Sequence, residues 1–124
     1  MSAKLPFVDW NEQPGREVMP GDVIWDVTGN ELQVIRAEMA PGADFPIHRH
    51  PQEQIIVVLH GALEFTVGDQ RRIVRPGQAI RIPADVPHGG GVHGSEPVVT
   101  IEAFHPPRQD FGHGSRRMDL RDPK

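Results

Sequence analysis

The stretch His48-Arg49-His50 sets two imidazoles one residue apart, with Gln54 shortly after and His88 further along the chain. In extended backbone alternate side chains share a face, so His48 and His50 point the same way. Gln54 keeps their even parity, and His88 brings a third imidazole from a later strand. Three nitrogen donors and one amide oxygen make a first-row transition-metal site for one divalent ion. Nickel, zinc, iron, manganese and copper all suit such a donor set. Glu53 is the competing oxygen ligand. Its odd parity turns it away, unless Pro51 disturbs the alternation. A histidine pair of this spacing is by itself more often a surface or packing pair. The third histidine favours the metal reading. His60, His93, His105 and His113 are expected at the surface, although His60 shares the parity of the ligands.

The glutamine has a chemical consequence. A carboxylate ligand would cancel one unit of the ion's charge, whereas a neutral amide leaves all of it. The ion is then a stronger Lewis acid, suited to polarising a carbonyl or hydroxyl or to holding an anion. Iron oxygenases more often use two histidines and a carboxylate. The amide therefore tilts the chemistry away from redox.

The elements that must position these residues are short. β-rich runs recur at Asp22–Val27, Leu32–Met39, Gln54–Leu59, Ala62–Val67, Gln70–Val74, Ala79–Ile82 and Val98–Phe104. Turn signals separate them, including Pro41-Gly42, Gly61, Pro76-Gly77 and Gly89–Gly91. Gly68-Asp69 between two runs reads as a tight hairpin. No sustained helical period is present, so the class is all-β and antiparallel, a sandwich or barrel. A chain of 124 residues has room for one core. We expect an N-terminal arm over 1–20 packing on the sheet, a barrel over 21–112 and a flexible tail over 113–124. Ile55, Val57 and Leu59, with Val99, Ile101 and Ala103, form a second apolar face opposite the barrel interior. That face needs a cover, either another layer of the chain or, the reading preferred here, a homodimer partner.

A net charge of −4 gives no reason to expect nucleic acid. No apolar run approaches the length of a membrane span. There is no cysteine, which excludes disulfides and thiol catalysis. The start, Met1 to Trp10, has no signal-peptide pattern, and a cytoplasmic location is the default expectation.

The two glycine-to-histidine segments resemble the cupin superfamily. Gly42, His48, His50 and Gly61 match its first motif, with Gln54 where a glutamate usually stands. Gly77, Pro83 and His88 match the second, with Asp85 for a glycine and Val92 for an asparagine. The resemblance covers roughly residues 25–105 and implies a double-stranded jelly-roll barrel, with the metal inside one mouth.

A narrower resemblance lies in His50-Pro-Gln-Glu-Gln54 and in Glu102-Ala-Phe104-His-Pro-Pro-Arg108. Both are similar to the small cupins of pectin and alginate degradation that linearise 4,5-unsaturated monouronates. Those proteins use a glutamine as the oxygen ligand and carry an aspartate-led version of the second run. The resemblance implies Glu102 as acid/base, Phe104 as pocket wall and Arg108 as a substrate or interface contact. Glu102 is one methylene longer than the aspartate it replaces. Parity places it inside the barrel, where burial raises a carboxyl pKa and a cation lowers it. The alternative is a structural glutamate paired with Arg36 or Arg81. The leading function is a metal-dependent isomerase or tautomerase acting on a small carboxylated, sugar-derived molecule. A dioxygenase of chelating substrates and a non-catalytic metabolite-binding module are the competing classes.

Overall fold

The computed structural model describes residues 6–109, so His113 and the tail expected over 113–124 lie outside the described residues. A short 3-10 helix, Trp10–Glu12, precedes ten strands: β1 (Arg16–Met19), β2 (Asp22–Thr28), β3 (Gln33–Met39), β4 (Asp44–His48), β5 (Glu53–His60), β6 (Leu63–Val67), β7 (Gln70–Val74), β8 (Ala79–Ile82), β9 (His88–Val92) and β10 (Val98–His105). They form a six-stranded sheet, β1-β2-β3-β10-β5-β8, facing a four-stranded sheet, β4-β9-β6-β7. Every pairing is antiparallel. The all-β, antiparallel class read from the sequence is the architecture observed.

Alternation decides what enters the space between the sheets. Along β3, Gln33, Ile35, Ala37 and Met39 are buried; along β10, Val98, Thr100, Glu102 and Phe104 are. Ile24, Ile56, Val58, Leu63, Phe65, Ile80 and Ile82 complete the apolar body. Most of the inward positions are apolar, and the polar exceptions other than Asp22 gather towards one mouth. Burying each large aliphatic side chain stabilises the fold by about 1.5–3 kcal/mol. That margin allows a few polar groups to be carried inside.

Three strands, β1, β4 and β9, were not among the runs expected, and β9 corrects a specific reading. Gly89–Gly91 looks like a turn, yet it lies within the four-stranded sheet, with Gly90 paired to Phe45 on one side and Phe65 on the other. The reason is proximity. A Cβ on Gly90 would come within 2.9 Å of the Phe65 backbone, and one on Gly89 within 2.7 Å of the Phe45 carbonyl oxygen. Glycine marks a close approach of neighbouring backbone here. The Gly68-Asp69 hairpin is as expected: Val67 pairs with Gln70, leaving two residues in the turn, and Gly68 takes a positive φ of 58°.

On the outer face of the six-stranded sheet, Ile55 and Leu59 are exposed, and Val57, Val99, Ile101 and Ala103 are half-buried.

Candidate metal centre

The histidines reach one point from three places. His48 is the last residue of β4, and His88 is the first residue of β9 and its direct cross-strand partner. His50 stands beyond β4, in the crossing to the other sheet. The idea of one strand carrying His48, His50 and Gln54 in a single parity is therefore corrected. The chain leaves the four-stranded sheet at Arg49–Gln52, and Gln54 enters from β5 of the opposite sheet. Pro51 lies in that break, so the shared even numbers of His50 and Gln54 have no structural meaning. Glu53 is exposed at the start of β5 and Gln54 is buried, the arrangement the preference for Gln54 requires.

The three ring centroids lie 4.3 Å (His48–His88), 4.8 Å (His50–His88) and 5.6 Å (His48–His50) apart. One potential ligand atom from each falls within 4.8 Å of the others. Each Nδ1 faces a backbone carbonyl two residues away: Pro46 at 3.0 Å from His48, Gln52 at 3.0 Å from His50 and Val86 at 2.8 Å from His88. A carbonyl accepts only, so Nδ1 must carry the proton and Nε2 presents a lone pair. Burial, reinforced by the charge of Arg108, pushes the pKa of His50 down to about 4. Burial takes His88 to about 4 as well. Both are neutral near pH 7, as ligands must be.

Two observations fit a cation. His88 Nε2 is buried and has no hydrogen-bond partner, a costly state that an ion would relieve. His50 Nε2 also lies 3.0 Å from Gln54 Oε1. With the proton committed to Nδ1, that contact sets two lone pairs against each other. Adjacent ligands at right angles around an ion, with bonds of about 2.1 Å, stand about 3.0 Å apart.

The amide of Gln54 is not free to turn. Its Nε2 donates to Glu102 Oε1 at 2.8 Å, and Thr100 Oγ1 donates to Glu102 Oε2 at 2.8 Å. Glu102 thereby aims the Gln54 carbonyl oxygen at the histidines. Burial drives the Glu102 pKa upward, while the hydrogen bonds from Thr100 and Gln54 and the charge of Arg108 oppose that rise. Neither Arg36, bound to Glu38, nor exposed Arg81 pairs with it. The structural alternative for Glu102 therefore takes a different form, as orienter of Gln54.

Phe104 and Arg108 belong to the same place. The Arg108 guanidinium sits 5.8 Å from the Phe104 ring centre, and that ring lies 6.1 Å from His50. Gln33, not singled out from the sequence, clasps the Arg108 backbone: it accepts from the amide at 2.9 Å and donates to the carbonyl at 3.3 Å. All of these residues except Gln33 and His50 line one cavity of about 60 Å³, together with Ile24, Ile35, Met39 and Leu63. Asp22 lines it too and was also missed; its inward parity with Ile24 was the available signal. His60, His93 and His105 are exposed, away from the centre.

A two-sheet antiparallel barrel with a histidine cluster in one mouth is the cupin arrangement. The Cupin domain family matches residues 35–104, and the chain belongs to it. It is similar to the pectin degradation protein KdgF of Dickeya dadantii (strain 3937), 31% identical over 107 residues that span 85% of this chain and 96% of that protein. The solved KdgF from Halomonas sp. superposes with a TM-score of 0.79 at 26% identity, covering 87% of this chain and 99% of that one. An RmlC-like cupin from Shewanella frigidimarina NCIMB 400 superposes at 0.81 with 21% identity, over 90% and 99% of the two chains. The fold and the expected resemblance to pectin-degradation cupins are thereby shown.

Proposed function

We propose that the protein holds one divalent transition metal through Nε2 of His48, His50 and His88 and Oε1 of Gln54, and linearises a 4,5-unsaturated monouronate. The observation that carries this reading is the orienting contact of Glu102 on Gln54, beside the three inward-facing imidazoles. Similarity to a protein of pectin degradation supports the substrate class. A bound ion would supply Lewis acidity, undiminished by a neutral amide ligand.

The chain's own residues divide the remaining work. Arg108 binds the substrate carboxylate, and Phe104 closes one wall against the ring. Glu102 takes the proton of the anomeric hydroxyl on a carboxylate oxygen, each of which keeps a second lone pair beside its present hydrogen bond. As that proton leaves, the bond between the anomeric carbon and the ring oxygen breaks and an aldehyde forms. The ring oxygen departs as an enolate, which takes the proton held by Glu102 on carbon and becomes a ketone, so that Glu102 returns to the carboxylate. A carboxyl whose pKa is raised by burial suits such traffic near neutrality. No oxidant enters the balance.

The test is incubation of metal-loaded protein with unsaturated monogalacturonate. Ultraviolet absorbance of the ring double bond should be lost faster than in the blank, with a linear acid bearing one aldehyde and one ketone appearing by NMR. Absorbance decay at the blank rate, with every one of the five metals loaded in turn, contradicts the assignment. The working unit in this reading is a homodimer joined through the outer face around Ile55 and Leu59.

A further inference from the structure

Asp22 opens β2 and pairs with Met39, which pairs in turn with Val98. Val98 ends the inward row Phe104, Glu102, Thr100, Val98 at the far end from Gln54, which pairs with Phe104. The cavity thus has two polar ends. The mouth carries His48, His88, Gln54, Glu102 and Arg108, and the floor carries Asp22 among Ile24, Met39 and Leu63.

Away from the metal centre, Asp22 stands out among the inward residues described. It is 9% exposed, and its Oδ1 is buried without a hydrogen-bond partner. Leaving such an atom unsatisfied is costly, and an aliphatic residue at this position would avoid that cost, as Ile24 does two residues on. Burial, and then the negative charge of Glu102, push the Asp22 pKa up to about 8. Near pH 7 the group is a neutral acid, offering an O–H donor and a carbonyl acceptor together. A hydroxyl answers both.

We propose that Asp22 forms a second binding subsite on the cavity floor, which takes a hydroxyl of a ligand whose carboxylate is held at the mouth. This inference rests on the reading of the mouth as a carboxylate-binding metal site. The cavity then selects a polyhydroxylated acid over an apolar acid of similar size. An ordered water on Asp22 is the competing occupant.

The test is calorimetric titration of the nickel-loaded full chain with D-galacturonate and with cyclohexanecarboxylate, a six-membered-ring carboxylate without hydroxyls. Wild-type protein should bind galacturonate about tenfold more tightly, the worth of one well-made hydrogen bond. Asp22→Asn keeps a donor and an acceptor and should stay within about threefold of wild type for galacturonate. Asp22→Leu should bring the two affinities together, with Asp22→Ala serving the same purpose should the leucine variant not fold. An unchanged preference in the apolar variants, or no saturable galacturonate binding by wild type, overturns the subsite. The two readings fail separately. Selective binding without linearisation removes the activity and keeps the subsite; linearisation with no effect of Asp22 on discrimination removes the subsite alone.

Discussion

Gln54→Glu should make metal affinity fall more steeply with decreasing pH than it does in the wild type. The wild-type amide faces two ways: Oε1 lies 3.0 Å from His50 Nε2, and Nε2 donates to Glu102 at 2.8 Å. The substitution replaces that donor with a second acceptor. Two carboxylates at the same 2.8 Å repel by about 6 kcal/mol at an effective dielectric constant of about 20. At 1.36 kcal/mol per pKa unit this is about four units, enough to keep one proton on the pair near neutrality. A metal must displace that proton, so affinity should fall up to about tenfold for each unit of decreasing pH. In wild type, His50 and His88 ionise only near pH 4, so neither has a proton to give up between about pH 6 and pH 8. Combining Gln54→Glu with Glu102→Gln restores the donor on the other side of the contact. The double variant should bind more tightly than wild type, because the ligand is now an anion, and should return to the wild-type pH profile. Competition for zinc against a chromophoric chelator at about pH 6, 7 and 8 reads all three proteins. A wild-type profile for the single variant, or a double variant with the profile of the single one, refutes the bridging role of Gln54.

Glu102→Gln should retain metal and reduce linearisation by at least about a hundredfold, the usual loss with an acid/base group; equal loss of metal would show that it acts only by orienting Gln54. Asp22→Asn should stabilise the metal-free protein increasingly as pH rises. An acid with a folded pKa of about 8 against an ordinary value of 3.8 favours the protonated fold, so stability due to Asp22 is full below the lower value and is lost up to the higher one. The asparagine gain is therefore near zero at about pH 4 and approaches an upper bound of about 5 kcal/mol at pH 8; parallel urea stabilities for the two proteins at all pH values would contradict it. Leu59→Glu, on the exposed outer face, should convert a sedimenting dimer to a monomer while leaving zinc affinity unchanged, and a wild-type protein that sediments as a monomer would remove the dimer from the account.

Much of the site was legible because its chemistry is local. The histidine spacing and the inward parity of Glu102 and Phe104 follow from residue type and strand alternation, whereas Gln54 was preferred over Glu53 on a parity that the break at Pro51 interrupts. The route by which His50 and Gln54 meet was not legible, because it depends on the chain crossing between sheets at Pro51. Glycine composition concealed β9, since a glycine run reads as a turn until the neighbouring strands that crowd Gly89 and Gly90 are known. Asp22 was read as a strand boundary. Its pairing to Met39, and so its place on the cavity floor, is long-range information. Gln33 escaped for the same reason: its partner is the backbone of Arg108, far along the chain.

The central claim is that this barrel holds one metal ion through three histidines and a glutamine. Elemental analysis by plasma mass spectrometry of tag-free protein, beside His88→Ala, tests it most directly. The account predicts near-stoichiometric divalent metal in wild type and its loss in the variant. Equal occupancy in both, or none in wild type after reconstitution with each of the five metals, would contradict it.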